Sequence, residues 1–480
     1  MYFASKPPDD PSIGYKEVKS GSGRSRKGRK HGQDESEFEK REQRSALRGQ
    51  QLVDKELPNP TFEPVNLENC TMGDNIFDKS LKNEPYYHGF MLPSTLEWTL
   101  KRDGDFIVAH IIQHVATERE RPCICVQAGT VQKIQLRYSK LVAHYLTSRE
   151  ALTKESNYVL KNPVARPHWI LCKDFVKLVG RLGAGAYGKV YKAETTEGRI
   201  VAVKSINLET CKDRAREQSQ KAEFLQEAAL HLPLKHRHII EFIGLASLAE
   251  PLFFVIDFAP GGTLIRYLRK NAGRNEKQQL VRFVTEAAAA YRFLEKHKYL
   301  HRDIAARNCL LGKDNTVKVS DFGLAVVCHE EKIVEPGLKL GIRWLAPETL
   351  KAMEFSKKTD VWAFGVMMFE IFSDGSEPYT GKKVAEVRQG LTDGSMLRCQ
   401  VPPNTPPDVK ELMQSCWTED PAQRPTFRVL HKKMKAILGE DPKSTTNSVI
   451  GQIPDETPPP PPLSDAAKER DTPCNTAEGR

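Results

Sequence analysis

The chain has 480 residues, enough for two or three domains and a sizeable core. Its hydrophobic fraction of 39% is low for a wholly globular chain, so part of it is expected to remain unfolded. The net charge is +10, and no apolar run reaches the ~18 residues that cross a bilayer, which excludes a transmembrane helix.

The charge is unevenly placed. Residues 1–85 balance, whereas residues 86–440 hold 53 basic and 40 acidic residues. A basic folded part suits acidic substrates or an anionic surface, or is a generally basic solvated face. The N-terminus has no apolar signal core, and Tyr2 excludes N-myristoylation. The ten cysteines are scattered, and Cys123 and Cys125 alternate like neighbours on a strand. All ten are read as reduced thiols of a cytoplasmic protein with at most peripheral membrane contact.

Residues 1–83 are dominated by Pro, Gly, Ser and charge and are expected to be disordered. Residues 24–30 form a basic cluster and residues 34–42 are mostly acidic. A solvated linker is the expectation there, with contact to anionic lipid or a nuclear address as alternatives.

Order is expected from Tyr86. Leu92, Leu96 and Leu100 recur at helical spacing, with Pro93 near the start. Phe106-Ile107-Val108, residues 123–126 and residues 131–136 read as strands of an antiparallel sheet, and residues 140–146 as a second helix. Tyr158-Val159-Leu160 reads as a last short strand before Asn162-Pro163. Residues 86–165 thus form a small α+β module. The opening Tyr87-His88-Gly89 and the run Gly104-Asp105-Phe106-Ile107-Val108 resemble a Src-homology 2 (SH2) domain. That family grips phosphotyrosine with an Arg after the Val, and here the position is Ala109. Phosphotyrosine binding is therefore not expected, because a bidentate guanidinium is what holds the phosphate. The module looks truncated after Leu136.

Leu182-Gly183-Ala184-Gly185-Ala186-Tyr187-Gly188-Lys189-Val190 reads as a glycine-rich turn between two strands. Backbone amides approach phosphates only where side chains are absent. Val201-Ala202-Val203-Lys204 follows, and a Lys ending a buried strand needs a charged partner. Glu227, in the helical stretch around Leu225 and Leu230, is the candidate.

His301-Arg302-Asp303-Ile304-Ala305-Ala306-Arg307-Asn308 precedes Asp321-Phe322-Gly323, with a hairpin-like alternation between them. Phosphoryl transfer needs a carboxylate at the attacking hydroxyl and oxygen ligands for a divalent cation. Asp303 suits the first role, Asn308 and Asp321 the second.

Taken in order, these motifs, Ala346-Pro347-Glu348, Asp360 and Arg424 closely resemble a protein kinase over residues 175–440. The resemblance implies a two-lobed kinase fold, α+β overall, with disordered termini. It implies ATP and magnesium, with manganese as an alternative. Ile256, Asp257, Phe258 and Ala259 would form the hinge behind the adenine, with Ile256 at the gate. Glu348 would pair with Arg424, and Asp360 would hold the catalytic-loop backbone. Ala305-Ala306-Arg307 and Ile342-Arg343-Trp344 look like tyrosine kinases, so Arg307 would help place a tyrosine. An SH2-like module directly before the kinase resembles the Fer/Fes subfamily, without that family's long N-terminal membrane-binding region. Expected partners are tyrosine-containing proteins and no nucleic acid, with the module packed on the kinase. A nucleotide-binding pseudokinase scaffold is the alternative.

Three positions depart from the family pattern. No Tyr lies between Asp321 and Glu348, so Glu330, Glu331 or Glu335 is expected to supply charge to Arg302. Gly341 replaces a Pro, and His231 stands at an apolar position. In the tail, 441–480, Pro458 to Pro462 is expected to adopt polyproline II, as a ligand for aromatic-grooved modules or a plain spacer.

Overall fold

The computed structural model describes residues 84–439, apart from 113–122, 129, 136–139, 153–157, 186–187, 207–212 and 339. The expected disordered segment, the tail with its proline run, and Ala186 and Tyr187 lie outside the described residues. No helix among the described residues is long and apolar enough to cross a membrane.

The first sheet comprises β1 (Tyr87–Met91), β2 (Asp105–Ile111), β3 (Cys123–Ala128) and β4 (Thr130–Gln135), with β5 (Asn162–Pro163) also on β2. The expected strands β2, β3 and β4 pair antiparallel, and β1 and β5, which were not expected as strands, both run parallel to β2, so the sheet is mixed. After β1 the chain passes through α1 (Pro93–Thr99) and a turn at Gly104, and returns in the same direction. Periodicity alone carries no information on that choice.

Alternate residues of β2 and β3 serve two cores. Ile107, Ala109 and Cys125 pack with Met91 and with Leu96 and Leu100 at α1. Phe106, Val108, Ile124 and Val126 pack with Val142 of α2 (Lys140–Ser148). The expected strand at Tyr158-Val159-Leu160 is coil. Arg149 explains this: its guanidinium donates to the carbonyls of Leu160 (3.2 Å) and Lys161 (3.4 Å), which removes them from any ladder.

The second sheet has the order β6-β7-β8-β10-β9, all antiparallel: β6 (Val176–Gly185), β7 (Gly188–Thr195), β8 (Ile200–Ile206), β9 (Phe242–Ala246) and β10 (Phe253–Asp257). Against it lies α3 (Arg214–His231), capped by Asp213, whose carboxylate accepts from the Ala215 amide at 2.9 Å. The larger lobe is helical: α4 (Leu264–Lys270), α5 (Lys277–Lys296), α6 (Pro347–Ala352), α7 (Lys357–Phe372), α8 (Val384–Thr392), α9 (Pro407–Cys416) and α10 (Phe427–Leu438). Helix α7 is apolar on nearly every side and buried from Thr359 to Phe372, as a central helix must be. A reciprocal capping box between Ser356 and Thr359 fixes its start.

Contacts join the first sheet to the small lobe. The Phe90 amide donates to the Ser247 carbonyl at 2.9 Å. Gly89 makes this approach possible: its φ is +69°, and a Cβ there would lie 2.2 Å from the Ser247 oxygen. Phe90, Leu92 and Ile112 share one apolar cluster with Ala222, Leu225 and Ala228 of α3. Beside them Lys221 is buried, with its ammonium bonded to Glu217 (2.9 Å) and Glu250 (2.5 Å) and 5.3 Å from the Phe90 ring. Two carboxylates offset the desolvation that a buried ammonium suffers.

Candidate active site

The catalytic loop hangs from α7. Asp360 accepts from the amides of His301 (2.8 Å) and Arg302 (3.0 Å). Burial pushes the Asp360 carboxyl up, and those amides oppose the shift. Two residues before the helix's end, Glu370 accepts from the Ala306 amide (2.8 Å) and the Trp344 indole (3.1 Å). Glu370 therefore ties the catalytic loop to the segment expected to seat the acceptor. The sequence reading missed it. Its signal was present, a lone carboxylate in the otherwise apolar stretch from Val366 to Phe372.

This scaffold holds Arg302 in left-handed backbone, φ +64°, and Asp321 likewise at +65°. Non-glycine residues at such angles persist only when their surroundings enforce them, and they cluster at functional sites. Asp303 is engaged at both oxygens: Arg307 pairs with Oδ1, and the Asn308 amide donates to Oδ2 at 2.6 Å. Asn308 also donates to the Asp303 carbonyl, 2.7 Å. Its nitrogen is thus committed to Asp303, and its side-chain oxygen is left for a cation. The Arg307 guanidinium also stacks on Trp344, 4.3 Å from the ring centre. Gly341 allows this stack, because a Cβ there would come within 3.2 Å of the Trp344 ring and 3.4 Å of Arg307 Nη2.

Asp321 reaches the same cleft through Ser320, whose amide and hydroxyl both donate to the Asn308 carbonyl at 2.9 Å. Phe322 is fully buried against His301 (5.2 Å between ring centres) and His231 of α3 (4.7 Å). His231 fills an apolar position because Nε2 meets the Ile240 carbonyl at 2.8 Å and burial pushes its pKa down to about 4. The neutral ring then packs like any aromatic.

The Lys204 ammonium lies 2.6 Å from the Glu227 carboxylate. Burial raises the Glu227 pKa, the Lys204 charge opposes that, and nearby Asp321 adds to it. Gly323 lies beside both acids: a Cβ there would make ordinary contact, 3.4 Å from Asp321 Oδ1 and 3.7 Å from Glu227 Oε2. Register places Lys204 opposite Val190, Gly183 opposite Val190 on the other side, and Ala202 opposite Ile256. Gly188 must be glycine, since a Cβ would meet the Ser205 carbonyl oxygen at 1.9 Å. Leu182 is half-exposed on β6, and Lys189 pairs with Ala184 across the turn. Asp257 ends β10, and Phe258 and Ala259 follow it.

No group of three or more His, Cys, Asp or Glu side chains among the described residues is arranged to hold a metal alone. Asp321 and Asn308 offer two hard oxygen ligands. That set fits a cation that keeps water and takes substrate oxygens for its remaining positions, as magnesium does.

The family described as protein tyrosine and serine/threonine kinase matches residues 176–434. Fer-related kinase 1 of Caenorhabditis elegans is 32% identical over 391 residues, 77% of this chain and 97% of that protein. Tyrosine-protein kinase Fer of Rattus norvegicus is 33% identical over 377 residues, 76% of this chain but 45% of Fer. The transforming protein Fps of avian sarcoma virus (strain PRCII) is 31% identical over 373 residues, 75% of this chain and 68% of that protein. These alignments are longer than the kinase match, so the likeness extends beyond residues 176–434. The chain belongs to the protein tyrosine and serine/threonine kinase family, which uses ATP and a divalent metal, and within it is a non-receptor tyrosine kinase of the Fer/Fps type.

Proposed function

We propose that this kinase transfers the γ-phosphate of ATP to tyrosine hydroxyls of protein substrates, with each site residue in a defined role. Asp303 accepts the proton of the attacking hydroxyl. Arg307 and Trp344 form the platform on which the acceptor ring rests. Lys204, held by Glu227, contacts the α- and β-phosphates. Residues 182–190 cover the nucleotide, with Ala202 above the adenine and Ile256, Asp257, Phe258 and Ala259 behind it. Asn308 and Asp321 hold magnesium, or manganese in its place, which neutralises charge on the transferring phosphate. The observation that carries this reading is the pairing of Lys204 with Glu227 while Asp303, Asn308 and Asp321 share one frame. Phosphoamino-acid analysis of labelled products should give phosphotyrosine. A pool dominated by phosphoserine would overturn the acceptor assignment, and no turnover at all would favour a pseudokinase scaffold.

The SH2-like module is proposed to act without phosphotyrosine, by bracing α3 through the junction at Gly89, Phe90 and Lys221. Ala109 supports this, because it is fully buried in the apolar cluster beneath α1 where a phosphate-gripping Arg would need space. His110 cannot substitute. Its ring lies 4.8 Å from Phe90, in the core on the opposite face, and burial pushes its pKa down to about 4. Removing the buried cation from such a site costs about 3–5 kcal/mol, which turns a micromolar ligand into a millimolar one. Titration of the full chain should show phosphopeptides binding no tighter than their unphosphorylated forms, and micromolar phosphate-dependent binding would contradict it. Deleting residues 1–165 should lower turnover; an unchanged rate would remove the bracing role.

A further inference from the structure

Residues 86–440 carry 53 basic and 40 acidic residues, and the phosphate-transfer site accounts for few of these charges. Nearly half of the excess falls on two helices. Helices α5 and α10 together hold eight Lys and Arg and two Glu, and α10 itself holds no acid. They pack antiparallel: Gln278 donates to the Leu438 carbonyl at 3.0 Å, Thr285 to that of Met434 at 3.4 Å, and the Phe427 amide to Glu295 at 3.3 Å. Phe427, Leu430 and Met434 turn inward and are buried. Arg428, Val429, Lys432, Lys433 and Ala436 then share the outer arc of α10, and all five are exposed.

The charge of this arc is not met within the described fold. Both acids of α5 are engaged elsewhere, Glu286 by Arg282 (2.8 Å) and the Val317 amide (2.7 Å), Glu295 by the Phe427 amide. Just before α10, Glu419 pairs with Arg398 at 2.6 Å and Asp420 accepts from the Ala422 amide at 2.9 Å. Arg292, exposed on α5, turns its guanidinium to His431 Nδ1 at 3.3 Å rather than to a carboxylate. The side chains of Arg428, Lys432 and Lys433 make no hydrogen bond or ion pair among the described residues. Arg428 and Lys432 stand four residues apart, where like charges destabilise a helix, so the arc gains from an anionic partner.

We propose that the outer arc of α10, with Arg292 beside it, is a docking surface for a membrane leaflet rich in anionic lipid. Charge complementarity asks for an anion, and the shape and composition of the arc choose lipid over an acidic polypeptide. The arc is the convex outside of one helix, and mobile headgroups can move to each cation without a groove to fix them. Val429, among the cations, is 41% exposed. Helices that lie on membranes sink such apolar side chains below the headgroups, while Lys and Arg stems reach back to the phosphates. Docking there would hold the kinase against the leaflet and raise the local concentration of membrane-attached acceptors.

The test sediments the full chain with vesicles of phosphatidylcholine alone, or of equal parts of phosphatidylcholine and phosphatidylserine. We expect binding to the anionic vesicles, falling as salt rises, and little to the uncharged ones. Replacing Arg428, Lys432 and Lys433 together by Gln should weaken it about a hundredfold, at about fivefold per charge. Lys432→Arg with Lys433→Arg should bind like wild type. The triple variant should turn over a soluble, uncharged tyrosine peptide at the wild-type rate, which shows that it is folded. A parallel set carries Gln at the basic positions of residues 24–30, and the loss caused by the triple change should persist in it. Equal binding to both kinds of vesicle overturns the proposal, as does wild-type binding by the triple variant, or abolition of binding by the changes at 24–30 alone. Polyglutamate held by wild type and not by the triple variant, with vesicles held by neither, would assign the arc to an acidic protein and overturn the lipid reading.

Discussion

Asp303→Asn lowers phosphate transfer to a tyrosine polymer by about 10²–10⁴-fold and leaves nucleotide affinity within about twofold. The first half follows from removing the carboxylate that both Arg307 and Asn308 orient. Asparagine keeps the shape and an acceptor oxygen for Asn308, while its NH2 replaces the oxygen that Arg307 donates to, so the variant loses the proton acceptor and that ion pair. The second half follows from the separation of roles. The nucleotide side rests on the glycine turn and on the Lys204–Glu227 pair, whose bonds do not involve Asp303. Initial rates with labelled ATP, together with fluorescence titration of nucleotide, measure both quantities on one preparation. A variant that turns over at near wild-type rate would show that Asp303 is not the base. One that loses nucleotide as well would show that the two sides are coupled through the loop.

What the sequence made legible here is local chemistry at fixed spacing. The glycine turn, the strand Lys, the catalytic loop and the metal turn each carry their reason within a few residues. Their partners are harder to read. Glu227 could be named only because Lys204 needed a charged partner, since nothing in its own helix marks it. Glu370 was marked as a lone carboxylate in an apolar stretch, but its role was not legible because its two donors, the Ala306 amide and the Trp344 indole, are 64 and 26 residues away. Strand β1 was missed because Tyr87–Met91 is buried at every position and so shows no alternation of apolar and polar residues. Tyr158-Val159-Leu160 was misread because apolar alternation does not show that a guanidinium has already claimed the carbonyls. His231 is the converse. A polar residue in a core position reads as a defect, yet one backbone carbonyl makes it a neutral aromatic.

The same limit applied to the loop acids, where the sequence offered three candidates for Arg302 and the fold selects Glu335. The selection is geometric. Lys332–Val334 pairs antiparallel with Glu354–Ser356, an ion pair joins Lys332 to Glu354 at 2.9 Å, and the Glu335 amide donates to the Met353 carbonyl at 3.2 Å. The Glu335 carboxylate then meets Arg302, whose guanidinium also bonds the Leu324 carbonyl and lies 5.3 Å from the Phe355 ring centre. The Arg302 side chain is 6% exposed and that of Glu335 is 44% exposed, so removing the acid strands a buried cation while solvent softens the loss. A discounted cost of about 1–2 kcal/mol corresponds to roughly a five- to thirtyfold fall in kcat/KM. That fall is expected for Glu335→Gln, with Glu335→Asp intermediate. The charge is also permanent. Between Asp321 and Glu348 there is no Ser, Thr or Tyr, so the loop has no hydroxyl to phosphorylate. Wild-type enzyme treated with a broad-specificity phosphatase should therefore keep its kcat/KM, while Glu335→Gln stays low before and after treatment. Loss of wild-type activity on dephosphorylation, or full activity in Glu335→Gln, would show that the carboxylate does not take the place of a loop phosphate.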